Sequence, residues 1–150
     1  LFPYTTLFRS VVGADGAWSR VRPLVSAARP EYLGLTCVEL RIEDVDARHP
    51  AVAALIPRGK VAAVAADRGL IAQRSSGGQV RVYVMLRVAE ERAASVIDLS
   101  TPARARAELR ALLPGWAPEL LAFVDAGEDA IARYFSPAEP AAALPSLAAL

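Results

Sequence analysis

The residues with the clearest chemical potential form the segment VVGADGAWSRVR at 11–22. Gly13 and Gly16 carry no Cβ, so a ligand could come close to the backbone there. A turn that leads into a helix would also point N–H groups at that ligand, which suits a pyrophosphate. Asp15 could accept hydrogen bonds, Ser19 could cap the helix, and Arg22 could hold a phosphate oxygen. The alternative is a purely structural strand-to-helix turn with an aspartate cap.

Other kinds of catalytic site find little support in the sequence. Cys37 is the only cysteine and His49 the only histidine, so neither an internal disulfide nor a Cys/His zinc cage can form, and no metal site is predicted. The sequence contains no G-x-S-x-G elbow, and His49 is far along the chain from Ser19. Gly59 and Lys60 lack the remaining residues of a phosphate-binding P-loop.

Composition narrows the class of protein. A chain of 150 residues with 54% hydrophobic and 22% charged residues is typical of a globular domain. Its net charge is +1 and no basic run is present, which argues against a dedicated nucleic-acid binder. No apolar stretch approaches the roughly 20 residues of a membrane-spanning helix, so we expect no integral membrane association and predict a cytoplasmic location.

The two ends of the chain differ from the rest. Residues 1–10, LFPYTTLFRS, are identical to one reading frame of a common short-read sequencing adapter, so we treat them as non-native and exclude them from the fold. We therefore expect the natural sequence to begin at Val11, inside a longer gene. Residues 134–150 contain three prolines among alanine and leucine, which predicts an irregular or frame-shifted tail.

Periodicity predicts the elements in between. Val11 and Val12 would be the stub of a strand, and Ala17 to Leu24 one or two helical turns. Residues 33–43 alternate as in a half-buried strand, with Cys37, Glu39 and Arg41 on one side. Short helices should begin near Pro50, Thr101-Pro102 and Pro118, the last with Gly127 as the residue after its C-cap, and Trp116 should pack between the two C-terminal helices.

A β-hairpin is predicted on either side of the turn Ser75-Ser76-Gly77-Gly78, because valines alternate strictly after it. If Arg74 pairs with Gln79 across this turn, Gln73 faces the same side of the sheet as Val80 and Val82. Gln73 would then be an isolated amide on an apolar face. Two arginines of the hairpin, Arg74 and Arg81, are expected at solvated positions.

A family resemblance adds to these patterns. Residues 13–22 resemble the D-G-x-x-S-x-x-R fingerprint of FAD-dependent monooxygenases of the p-hydroxybenzoate hydroxylase class, with Asp15, Gly16, Ser19 and Arg22 at the fixed positions. Later stretches are similar to the branch that contains tetracycline-inactivating and related bacterial enzymes. They are RPEYLGLT at 29–36, GLIAQR at 69–74 and PGWAPELL at 114–121. The resemblance covers residues 11–133.

This resemblance implies an enzyme that transfers one oxygen atom of dioxygen to an aromatic or polyketide-like substrate, using FAD and NAD(P)H. By position, Asp15 and Arg22 would help to bind the pyrophosphates of FAD and NAD(P)H, and Gly13, Gly16 and Ser19 would have weaker roles. The strands between residues 33 and 88 would form the substrate domain's sheet, whose inner face covers the pocket beside the flavin. Gln73 is then the candidate substrate contact, unless backbone groups at the sheet margin satisfy its amide.

The implied fold class is α+β, a fragment of a two-domain FAD/NAD(P)-binding monooxygenase that consists mostly of the substrate-domain sheet with flanking helices. Residues 11–28 would belong to the FAD-binding domain and residues 29–133 to a partial substrate-binding domain. The family's G-x-G-x-x-G fingerprint and its later G-D motif are absent from the sequence. We therefore expect these 150 residues alone to bind FAD poorly and to be inactive.

Two other interpretations remain open at this point. The parent protein could be an FAD-linked oxidoreductase without hydroxylase activity, such as a geranylgeranyl-type reductase, and oxygen incorporation into the product would separate the two. The chain could also be a stand-alone α+β binding module in which the Gly13–Gly16 turn is only structural.

Overall fold

The computed structural model describes residues 12–134, and the side chains of residues 12–128. The described residues belong to two compact units, residues 12–31 and residues 32–134. The expectations for residues 1–10, for Val11 and for residues 135–150 lie outside the described part of the chain.

The larger unit is built on an antiparallel sheet of five strands in the order β2-β3-β4-β1-β5. The strands are β1 (Leu35–Ile42), β2 (Lys60–Val64), β3 (Arg68–Arg74), β4 (Val80–Arg87) and β5 (Asp129–Tyr134). Five helices accompany them: α1 (Val45–Arg48), α2 (Pro50–Leu55), α3 (Glu90–Ala93), α4 (Pro102–Ala111) and α5 (Pro118–Asp125). This arrangement is the predicted α+β class.

One face of the sheet carries the hydrophobic core. Alternate residues of the strands point to this face because side chains in a strand alternate between its two sides. They pack against apolar residues of the helices and of the segments that follow them, including Val52, Ile97, Leu109 and Phe123. We call this side the core face. Its strand residues are Val61, Leu70, Ala72, Val80, Val82, Val84, Leu86, Val38, Leu40 and Ile42.

The opposite side, which we call the second face, contributes no residue to that core cluster. It is formed by Lys60, Ala62, Val64, Gly69, Ile71, Gln73, Arg81, Tyr83, Met85, Cys37, Glu39 and Arg41. The half-buried pattern predicted for β1 is wrong, because Cys37 and Glu39 on this face are 0% and 3% exposed. Since β1 lies between β4 and β5, its side chains have neighbours on both flanks.

The predicted helix starts are confirmed. α2 begins at Pro50 and α5 at Pro118, and Thr101 caps α4 by accepting a hydrogen bond from the N–H of Arg104 at 3.3 Å. Trp116 is partly buried against the core. The sequence analysis did not predict α1, α3 or β5, and β5 includes Tyr134, which was assigned to the irregular tail.

The predicted hairpin is also confirmed, but its register is not. The N–H of Ser75 donates to the carbonyl of Gln79 at 2.8 Å, and Arg74 pairs with Val80. Ser75 and Gln79 therefore close the loop, which contains residues 76–78 and is one residue shorter than the expected loop 75–78. Within it, Gly77 adopts φ 74° and Gly78 adopts φ 72°. A shift of one residue moves a side chain to the other face, so Gln73 lies opposite Arg81 on the second face and not beside Val80.

The prediction that Arg74 is solvated is wrong as well. Arg74 lies on the core side of β3, and its side chain is 18% exposed. Its Nη1 donates to the carbonyl of Ile56 at 3.2 Å, and its Nη2 pairs with Asp46. The arginine therefore joins β3 to the ends of α1 and α2. Arg81 fits the expectation better, with a side chain that is 44% exposed.

The smaller unit contains one 3-10 turn, Arg22–Leu24. Val12 is exposed and lies in no strand, so the strand stub predicted there is not seen, and of the helical segment predicted at 17–24 only the single turn Arg22–Leu24 forms. Within residues 12–31 no second strand is present to pair with Val12, and Pro23 limits the helix to a single turn.

Candidate functional site

The turn from Asp15 to Arg22 is held together by its own side chains. Ser19 Oγ donates to Oδ1 of Asp15 at 2.5 Å, and the N–H of Arg20 donates to Oδ2 at 2.7 Å. The same Ser19 oxygen accepts from the N–H groups of Val21 at 3.2 Å and Arg22 at 3.0 Å. Ser19 therefore satisfies two backbone N–H groups at the start of the 3-10 turn, although the N-cap position itself is Val21, and Asp15 anchors Ser19.

Arg22 also folds back onto this turn. Its Nη1 donates to the carbonyl of Ala17, and its Nη2 lies 3.5 Å from the carbonyl oxygen of Gly16. In this conformation the guanidinium and the Asp15 carboxylate both shape the backbone between them. A ligand that takes a hydrogen bond from Arg22 would compete with these carbonyls.

The electrostatics of the turn follow from the same contacts. The hydrogen bond from Ser19 lowers the pKa of Asp15 below its ordinary value of 3.8, and the bond from the N–H of Arg20 lowers that pKa further. Both bonds stabilise the charged carboxylate. Asp15 is therefore ionised at neutral pH and is a fixed acceptor within the turn.

Glycine suits these two positions of the turn for different structural reasons. Gly16 adopts φ +80°, which L side chains rarely adopt, and a Cβ there would meet nothing within 4 Å. Its amide is thus reachable by a ligand. Gly13 instead packs closely, since a Cβ there would lie 2.8 Å from Cβ of Val21. Both glycines are exposed, but only Gly16 has open space where a side chain would lie.

Polar and apolar side chains are sorted along the second face of the sheet. One cross-strand row contains Lys60, Gln73, Arg81 and Arg41, and the next contains Ala62, Ile71, Tyr83 and Glu39. The third contains Val64, Gly69, Met85 and Cys37. Across β1 to β4, this face therefore changes from cationic to apolar along the strands.

Two arginine–glutamate pairs lie on this face of the sheet. Nη1 of Arg81 lies 3.9 Å from Oε1 of the buried Glu39, and Nε of Arg41 lies 3.9 Å from Oε1 of Glu43. The Arg41 Nε is buried and has no hydrogen-bond partner among the described residues. Donors thus accumulate at the polar end of the face.

A cavity of about 140 Å³ opens at the apolar end. Its walls include Leu35, Val64, Gly69, Met85 and Arg87. The lining is mainly apolar, and the charged residues Asp67, Arg68 and Arg87 also contribute to it. The residues around this cavity were not singled out from the sequence, although the strict alternation of β4 already separates Tyr83 and Met85 from the core valines.

The structure places the predicted site residues in two separate groups. Asp15, Gly16, Ser19 and Arg22 are brought together in one turn, in the unit formed by residues 12–31. Gln73 lies on the sheet of the other unit, half-buried between Lys60 and Arg81. Its amide is therefore part of a polar row, and not the isolated polar group on an apolar face that the sequence predicted.

Metal sites and membrane-spanning helices are both absent from residues 12–134. No group of three or more His, Cys, Asp or Glu side chains in this part of the chain could hold a metal ion. None of its helices is long and apolar enough to cross a membrane.

Sequence comparison finds part of the chain similar to two proteins that are named monooxygenases. The chain is 38% identical over 80 residues to monooxygenase penA of Penicillium thymicola and 33% identical over 81 residues to monooxygenase asqM of Emericella nidulans. Each match covers 53% of this chain but 18% of the relative, so the chain spans less than a fifth of these curated relatives. No family model matches the sequence.

The fold has a solved counterpart. Klebsiella pneumoniae HpxO, crystallised with FAD and uric acid, superposes with a TM-score of 0.62 at 19% identity. The match covers 83% of this chain and 30% of HpxO. The chain therefore has the α+β fold of one part of HpxO, which confirms the predicted fold class.

Proposed function

We propose that this chain is part of an FAD-dependent monooxygenase that uses NAD(P)H to transfer one oxygen atom of dioxygen to an aromatic or polyketide-like substrate. The observation that carries the proposal is that sequence and fold agree. Two relatives above 30% identity are named monooxygenases, and the matching fold belongs to a protein crystallised with FAD. Both other interpretations, a non-hydroxylating oxidoreductase and a stand-alone module, lack such support.

The turn at residues 15–22 fits a role at the cofactor. Gly16 leaves its backbone open, and the segment around it is exposed. FAD, when bound, supplies the chemistry that activates dioxygen. Asp15 and Ser19 act on the protein itself, because their hydrogen bonds fix the turn that presents the Gly16 backbone and the Arg22 guanidinium.

The second face fits a role at the substrate. Gln73 and Arg81 offer donors at its polar end, while Met85 and Val64 line the cavity at its apolar end. An aromatic substrate could lie across Tyr83 between the two ends. The Gln73 amide would then fix the orientation of a carbonyl or hydroxyl group of the substrate. We further propose a cytoplasmic location and a small-molecule substrate.

The proposal is tested on the full-length product of the source gene, prepared with FAD. We expect a yellow protein that oxidises NAD(P)H faster when substrate is added, and a product that contains oxygen from isotopically labelled dioxygen. A colourless protein contradicts FAD binding. Flavin reduction without label in the product would favour the non-hydroxylating oxidoreductase instead.

Variants in the same protein separate the two groups of residues. Asp15→Asn keeps the shape of the side chain but retains only one acceptor oxygen for two hydrogen bonds, so FAD or NAD(P)H binding should weaken. Gln73→Ala should raise the KM for the substrate by about 5-fold to 50-fold, as expected for one lost hydrogen bond, and leave the flavin spectrum unchanged. Ala107→Ser on the exposed side of α4 is the matched control.

A further inference from the structure

Met85 is the only methionine of the chain, and it lies on the second face of the sheet. Its side chain is half-buried and lines the cavity of about 140 Å³ together with Leu35, Val64 and Arg87. Met85 therefore lies in the wall of this opening.

Close packing on the backbone fixes the methionine in this position. A Cβ at Gly69, directly across from Met85 on β3, would lie 2.8 Å from the Met85 terminal methyl. The methionine thus extends over the space that the glycine leaves empty. An unbranched, polarizable side chain suits such a gap.

We propose that Met85 is a peroxide-sensitive modification site, oxidised to the sulfoxide by hydrogen peroxide that enters this cavity. The sulfur lone pair attacks one peroxide oxygen, the O–O bond breaks, and water leaves. Sulfur loses two electrons and gains an S–O bond, while the peroxide is reduced. The source of peroxide in a cell rests on the proposed function, since an enzyme that reduces dioxygen can release peroxide when oxygen transfer fails. The reactivity of Met85 toward added peroxide does not rest on that function.

The second sulfur of the chain provides an internal comparison. Cys37 is the cross-strand neighbour of Met85 on β1, and it is 0% exposed. Thiol oxidation depends on access and on thiolate character, and burial reduces both. Peroxide should therefore reach Met85 before it reaches Cys37, although the two residues are adjacent on the same face.

Oxidation changes the chemistry of the cavity wall. The sulfoxide places a polar oxygen among Leu35 and Val64, where the unmodified wall is apolar. The space over Gly69 is already filled by the methyl group, so the added oxygen must enter the cavity. We expect the modified face to accept an aromatic ring less well. Methionine sulfoxide reductase should restore it.

The experiment exposes the 150-residue chain, after a cooperative urea transition has shown that it is folded, to hydrogen peroxide and follows its intact mass, with peptide mapping to locate the added oxygen; a chain that does not fold alone is replaced by the full-length product of the source gene, in which the peptides that contain Met85 and Cys37 are followed. We expect one oxygen at Met85, gained at a rate within about tenfold of that in the denatured chain, with Cys37 unmodified. Oxidation of Met85 only after denaturation, or of Cys37 before Met85, would overturn the proposal. No FAD is needed, so the outcome is independent of the proposed function.

Two variants refine the test. Met85→Leu conserves the volume of the side chain and should gain no oxygen under the same conditions. In Gly69→Ala, the new Cβ should displace the Met85 side chain from its position over residue 69. Met85 should therefore be oxidised faster than in the parent chain. A slower or equal rate in that variant would contradict the proposed packing. If Gly69→Ala does not fold, the comparison of Met85→Leu with the parent chain still decides the site.

Discussion

Ser19 and Asp15 are joined by a hydrogen bond of 2.5 Å from Oγ to Oδ1, which closes the turn between the first and fifth residues of the D-G-x-x-S sequence. The fingerprint residues therefore bind one another. Asp15 and Ser19 support the backbone, and the part of the turn left open to a ligand is the Gly16 backbone.

The Asp15 carboxylate should report this contact through its pH dependence. Its pKa lies below 3.8, so the stabilisation that it gives the turn is fully present above pH 3.8 and is lost as the pH falls through the lowered pKa. Ser19→Ala should move the Asp15 pKa back toward 3.8, measured by NMR titration of side-chain carboxyls. The pKa of Asp67, which is lowered by Arg68, serves as the control and should not move.

Arg74 should matter more to stability than its ion-pair partner. Asp46 is 63% exposed, so Asp46→Asn should cost less than about 1 kcal/mol in unfolding free energy. Arg74→Met also removes the hydrogen bond to the buried end of α2 at Ile56 and should cost about 1–3 kcal/mol. Urea denaturation measures both. Equal costs for the two variants would show that the ion pair dominates.

Gly127 should not tolerate a methyl group. A Cβ there would lie 2.9 Å from Cβ of Leu40, which is itself only 1% exposed. The segment cannot easily shift, because Arg106 donates to the Gly127 carbonyl at 2.6 Å and the N–H of Glu128 donates to Arg41 at 2.8 Å. Overpacking predicts a loss of about 1–3 kcal/mol for Gly127→Ala, measured by thermal or urea denaturation. An unchanged midpoint would show that the loop moves aside.

Thr101 should be replaceable only by another capping residue. Its side chain accepts the N–H of Arg104 at 3.3 Å, which satisfies one of the free donors of α4. Thr101→Ala should lower the unfolding free energy by about 1 kcal/mol, while Thr101→Ser should be nearly neutral. Circular dichroism during denaturation measures both, and equal loss in the two variants would contradict the capping role.

Prediction from sequence was most successful where a local signal is strong. Pro50, Pro118 and the Thr101-Pro102 pair mark helix starts because proline suits the first turn and threonine suits the cap. Strict alternation of apolar residues identified β4, because alternation is also a local signal. Gly127 was placed correctly after α5, but its close contact with Leu40 is a tertiary packing constraint that the sequence does not reveal.

Several failures depend on contacts that the sequence pattern does not show. The register of the β3–β4 hairpin changes with a loop length of one residue, and that difference moved Gln73 to the other face. Arg74 was expected in solvent because nothing near it in sequence reveals Ile56 and Asp46 as partners. For β1, the order of strands in the sheet determines that it has a neighbouring strand on each side.

The sequence by itself determined the α+β class, the limits of the longer helices and the identity of the turn residues Asp15, Gly16, Ser19 and Arg22. The fold class follows from the family resemblance, whereas the helix limits and the turn residues depend on local backbone preferences and on side chains within a few residues of one another. Only the tertiary structure decided which face of the sheet Gln73 occupies and that Met85 lines a cavity over Gly69. Cross-strand register creates these contacts, and register is fixed by packing between segments that the sequence separates.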